Sequence, residues 1–243
     1  MPGRVMRFDD RIGAVPGMPR AADLADLWLA KALAFLLDAC DVPASARRDL
    51  LDSGIDTLEP EIPPASSPAA EKAQLERLDA SRLALVLAEL AVEARLNRVL
   101  RHCDAVEWQA IAHLAPAEKL RLAPQLLDDR RSSAKGADLY PLVDELVDVR
   151  EALVEAGGWS TGSAARFGPS LACAMVEASA KICCFLASLT DEAESDTARI
   201  AQRAAETLVK RADALSLFRF RDSAYYESSS RADIDFPPDL PEW

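Results

Sequence analysis

The segment D-V-R-E-A-L-V-E at positions 148–155 gathers the side chains best suited to chemistry in this chain of 243 residues. Arg150 offers a planar, permanently charged group that can grip a phosphate and spread charge developing on it. Glu151 and Glu155, one helical turn apart, are carboxylates able to exchange protons, yet two of them beside a phosphate also repel it. Asn97 is the fourth candidate. It falls on the apolar stripe of a long helical pattern, between Ala94 and Arg101, where a polar side chain must find partners. Either it caps the neighbouring loop backbone or it points into a cleft beside Arg150. A plainer account also exists. Asp144, Asp148, Glu151 and Glu155 share one side of a helix as a solvated face, with Arg150 at the edge of the apolar stripe in an ion pair or a snorkelling contact.

Metal and nucleophile chemistry finds less support. The five cysteines (Cys40, Cys103, Cys173, Cys183 and Cys184) are odd in number and form no C-x-x-C. They read as buried free thiols of a reducing compartment. The adjacent pairs His102–Cys103 and Cys183–Cys184 diverge by about 100° on a helix, so neither has closed zinc-ligand spacing. Cys103, His113 and Cys173 could combine only across helices. Asp191, Glu192 and Glu194 open a helix, where acids are favoured without a metal. No Gly-rich phosphate loop, G-x-S-x-G or H-E-x-x-H occurs. The expectation is no cofactor, no metal and no disulfide. A formal charge of −12 also argues against general nucleic-acid binding, which needs cations to displace counterions from phosphate.

Helices must carry these residues. Half of the chain is apolar, only nine residues are Gly, and Ala and Leu dominate, which favours a packed all-α fold. Periodicity and caps place a first helix over Asp23–Cys40 and a second from Pro43 to a stop at Gly54. The prolines of I-D-T-L-E-P-E-I-P-P-A-S-S-P then read as a linker over 55–68, leaving 23–54 as an N-terminal helical arm behind a flexible start at 1–22. A long helix over Ala69–His102 is apolar on two faces: Leu83, Val86, Leu87, Leu90 and Ala94 on one, Leu85, Val92, Leu96 and Val99 on the other. Asp104 caps a fourth helix reaching about Leu114, and Pro116 opens a fifth to Leu127. A sixth runs from Leu139 to Ala156 on a stripe of Leu142, Leu146, Val149 and Leu153. A seventh, from Pro169 to Leu189, has a large-residue face and a small-residue face, so it should join the third as a second central, buried helix. Thr190 caps an eighth, exposed helix ending near Phe218, which closes a bundle over 69–218. The rest, 219–243, reads as a disordered acidic tail. No secretory signal stands in the first 20 residues and charges break every apolar run, so the expected location is the cytoplasm, without a membrane.

Three consecutive phrases carry a resemblance. They are S-R-L-A-L-V-L-A-E-L-A-V-E-A-R-L-N-R-V-L, then W-Q-A-I-A-H-L-A-P-A-E-K-L-R-L-A-P-Q-L-L, then L-Y-P-L-V-D-E-L-V-D-V-R-E-A-L-V-E. In their order and spacing, over about Ser81 to Leu189, they resemble the HEPN (higher eukaryotes and prokaryotes nucleotide-binding) helical superfamily. Active members pair two protomers around an Arg followed about four to six residues later by a His, and cut RNA without a metal. There the Arg holds phosphate and the His moves protons for attack by the 2′-hydroxyl. Arg150 matches that Arg. Glu151 replaces the usual polar neighbour, Glu155 stands at the His position, and no His occurs from Glu151 to Pro169. The resemblance therefore implies a degenerate member: a homodimeric, non-catalytic interaction or regulatory protein, with a small nucleotidyltransferase as one partner to expect. The alternative is a metal-independent ribonuclease, toxin- or defence-related, centred on Arg150 with RNA as its partner. A small-ligand sensor with a pocket between the two central helices is a third class.

Overall fold

The computed structural model describes residues 23–54, 68–127, 136–155, 167–190 and 195–229. The fold is all-α. Among the described residues the elements are α1 (Leu24–Ala39), α2 (Ala44–Ser53), α3 (Pro68–Leu100), α4 (Ala105–Ile111), α5 (Pro116–Leu127), a 3-10 turn (Ala137–Leu139) leading into α6 (Tyr140–Glu155), α7 (Pro169–Leu189) and α8 (Asp196–Ser229). The expected flexible start at 1–22 and the end of the tail, 230–243, lie outside the described residues, as does the Pro-rich linker apart from Pro68, which opens α3.

Local chemistry sets most helix ends. The Asp23 carboxylate accepts the Asp26 backbone N–H at 2.8 Å, and Asp104 accepts those of Val106 and Glu107 at 2.8 and 2.9 Å, supplying partners for donors that a helix start leaves free. Gly54 ends α2 at φ +69°, a left-handed position that glycine adopts without strain. The expected Thr190 cap is not the one used. Ser195 caps α8, its Oγ accepting the Ala198 N–H at 3.2 Å, while Thr190 turns back to donate to the Ala187 carbonyl at the end of α7. α4 stops at Ile111, short of Leu114.

Packing corrects three further expectations. First, α1 is not an arm. Leu29, Leu33 and Leu36 are fully buried, and α1 lies antiparallel along α3, with Asp23 and Asp26 at Arg95 near one end and Asp41 at Arg77 near the other. The helices before and after residues 55–67 thus share one core. Secondly, α8 extends past Phe218 to Ser229, and its first half, to Leu215, is exposed on one side only. Ala198, Ala201, Ala204, Ala205, Leu208 and Ala212 are buried against its neighbours. Alanine is short enough to let two helix backbones close up, and the Cys173 thiol of α7 donates to the Ala205 carbonyl at 2.9 Å. Thirdly, α3 is unequal on its two apolar faces. Leu85, Val92, Leu96 and Val99 are buried, whereas Val86, Leu87, Leu90 and Ala94 are half-buried and Leu83 is 46% exposed.

The central layer is therefore α1, α3, α7 and α8, not two helices alone. α7 contacts α8, α3 and α1, and Ile182 at its middle is fully buried. By length and composition α7 could cross a membrane, as many core helices could; here most of it is covered, and its charged residues, Glu177 and Lys181, pair with each other. α5 and α6 pack on each other and against α3.

Two polar joints lock this layer. At one, Arg95, itself 3% exposed, forms an ion pair with Asp23 (3.1 Å) and donates to Asp26 (3.2 Å), Arg98 adds a contact to Asp23, and the Ser195 hydroxyl donates to Asp26 at 2.5 Å. One buried arginine thus ties together the first turn of α1 and the cap of α8. At the other, Arg211 donates to the Cys40 and Asp41 carbonyls (2.5 and 2.8 Å), and Arg203 and Thr207 do the same for Leu51 and Gly54 (2.5 and 2.9 Å). Cations and donors at helix C-termini satisfy carbonyls that have no partner within the helix. Since Ser195 meets Asp26 and Arg211 meets Cys40, α8 runs parallel to α1.

Candidate functional site

On α3, Glu89, Glu93 and Asn97 follow at intervals of four, which puts them in one stripe. That stripe faces α5 and α6 and draws in the candidate residues. Asn97 neither caps a loop nor reaches Arg150 through any hydrogen bond described. Its Oδ1 accepts the Lys119 ammonium from α5 at 2.9 Å. Lys119 is buried, so its charge rests on an amide dipole inside the protein. Arg150, from α6, sends its Nε to Oε2 of Glu89 at 3.8 Å, an ion pair too long to be a hydrogen bond. The arginine side chain is 45% exposed and the glutamate 3%.

Glu89 was not among the residues singled out from sequence, nor was Lys119. Neither carboxylate oxygen of Glu89 has a hydrogen-bond donor. Burial pushes its pKa up, the Arg150 charge pulls it back, and Glu93, one turn away, pushes it up again. No signal in the sequence separates Glu89 from other charged residues of α3, because its burial is decided by where α6 lands.

The remaining acids of α6 look outward. Asp144, Asp148 and Glu151 are exposed, and the Glu155 side chain lies outside the described residues. Asp144, Glu145 and Asp148 line an open groove of about 610 Å³ together with Tyr140, Val149 and Arg121. Arg121 pairs with Asp144 at 3.1 Å and stands 5.9 Å from the centre of the Tyr140 ring. The groove thus presents more negative than positive charge over an apolar floor, which suits a cationic group and opposes a phosphate. His102 lies in the turn after α3 and His113 in the turn after α4, both exposed and neither on α6. Among the described residues no group of three or more His, Cys, Asp or Glu side chains could hold a metal ion. None of the five cysteines is in a disulfide. Burial holds the thiols of Cys173 and Cys183 at about 12, far from the reactive thiolate range.

Comparison with models of protein families, with curated proteins and with solved structures finds no match for the chain. What the arrangement can do therefore rests on its own geometry: a half-exposed arginine already facing a buried carboxylate, beside a groove lined with acids.

Proposed function

We propose that this chain is a non-catalytic helical interaction or regulatory protein on a degenerate HEPN-like frame. The observation that carries this reading is the Arg150–Glu89 pair. The one cation at the expected phosphate position has its charge answered from inside the protein, and its solvent-side neighbours Asp148 and Glu151 are anions. A proton-transferring His would contribute about 10²–10⁴-fold in rate, and α6 carries none. The test is cleavage of single-stranded RNA by the purified chain, with and without divalent metal. The expected result is no cleavage above background for either the native chain or Arg150→Ala. Native cleavage that Arg150→Ala abolishes would establish the ribonuclease reading instead.

The partner proposed first is a second copy of the chain. Two acidic α6 faces meeting across a two-fold axis would repel, so the half-exposed apolar face of α3 around Leu83, Leu87 and Leu90 is the more favourable contact. Light scattering at high micromolar concentration should report a dimer that Leu83→Glu weakens. A monomer under those conditions would remove this partner.

A further inference from the structure

Glu89 combines three properties that ordinary interior residues do not. It is buried to 3% side-chain exposure, it has no hydrogen-bond donor on either oxygen, and its nearest counter-charge belongs to a different helix. A carboxylate in that setting has two ways to lose its desolvation cost: bind a proton, or be approached more closely by a cation or water. We propose that Glu89 is a proton-binding site that couples the seating of α6 on α3 to pH, neutral and at rest in the closed interface when protonated, and a buried anion dependent on Arg150 when ionised. This goes beyond the interaction role and does not depend on whether Arg150 ever meets RNA.

The charged groups around it are few. α6 contributes Arg150, with Asp148 and Glu151 exposed on its outer side. α3 contributes Glu93, and α5 contributes Lys119, already held by Asn97 two turns along from Glu89. The charges of α7, Glu177 and Lys181, are spent on each other, and its buried thiol Cys183 faces the Ala91 carbonyl on α3, beside Arg95. Burial outweighs Arg150, so the folded protein holds this proton more firmly than an exposed glutamate does. The sign follows. The contribution to stability is fully present below the ordinary glutamate pKa and is lost as pH rises through the raised folded value. Ionisation thus favours states in which α6 lifts and water reaches Glu89.

Hydrogen–deuterium exchange of the full chain, corrected for intrinsic rates, reads this locally at about pH 4, inside the usual glutamate range, and at about pH 8, well above it. In the native protein, opening of α6 should rise several-fold across that interval relative to α1. Glu89→Gln should abolish the rise, since the amide stays neutral. Arg150→Ala should enlarge the rise at the upper pH and leave the lower one unchanged. The same rise in Glu89→Gln as in the native chain would overturn the proposal, as would an equal effect of Arg150→Ala at both pH values. Should a variant fail to fold, NMR titration of the Glu89 carboxyl carbon in the native protein decides. Titration above an ordinary glutamate supports the site, and titration at or below it refutes it.

Discussion

The two sides of α3 use the same kinds of residue to opposite effect. Toward α1, α7 and α8, the helix presents Leu85, Val92, Leu96 and Val99 around Arg95, whose charge meets two carboxylates across the interface. Toward α5, α6 and solvent, it presents half-covered leucines around Glu89, which has one long contact and no hydrogen bond. The difference is not the amount of buried charge but whether the neighbours were placed to receive it. A buried ion met by two carboxylates fixes geometry, since a shift of α1 or α8 would break a contact to Asp26. An unsatisfied one leaves its helix free to respond to a proton.

The comparison breaks most readily at Arg95. Arg95→Met removes the buried cation that Asp23 and Asp26 share, leaving them Arg98 and the Ser195 hydroxyl, and should cost up to about 3–5 kcal/mol, read as a lower urea midpoint at unchanged slope. A cost below that of losing one core leucine would show that the joint is not what holds α1. Next in size, Leu85→Ala should cost about 2–5 kcal/mol through the lost burial and the cavity left behind. At the small end, Leu83→Ala, two residues earlier and 46% exposed, should stay within about 0.5 kcal/mol in the monomer. Similar losses from the two leucine truncations would mean that the outer face of α3 is covered as fully as the inner one.

The parts of this fold legible from sequence are those decided within a few residues. Asp104 as a cap, Gly54 as a stop and Pro169 as a start each act on their own helix, so spacing alone locates them. The partly exposed face of α3 was not legible, because periodicity reports that a face is apolar and not what covers it. The burial of α1 and α8 escaped for two further reasons. Prolines between α1 and α3 read as separation whatever the chain does afterwards, and alanines add little to a hydrophobic pattern while permitting the closest packing. The site divided in the same way. Arg150 and Asn97 stood out from their local setting. Glu89, Lys119 and Arg95 did not, because a charged residue reads as surface until a helix from elsewhere in the chain closes over it: Arg95 meets Asp26 across 69 positions.

The second joint has a consequence in time. The carbonyls at the end of α1 are completed by Arg211, which lies 171 positions after Cys40, and those of α2 by Arg203 and Thr207. At ordinary rates of synthesis that interval is on the order of 10–30 s. Through it, α1 and α2 have α3 beside them and still lack the partner that finishes their ends. The ends of α1 and α2 wait on α8, and a ribosome that stalls before α8 would leave a nascent chain with the α1–α2 turn unfinished.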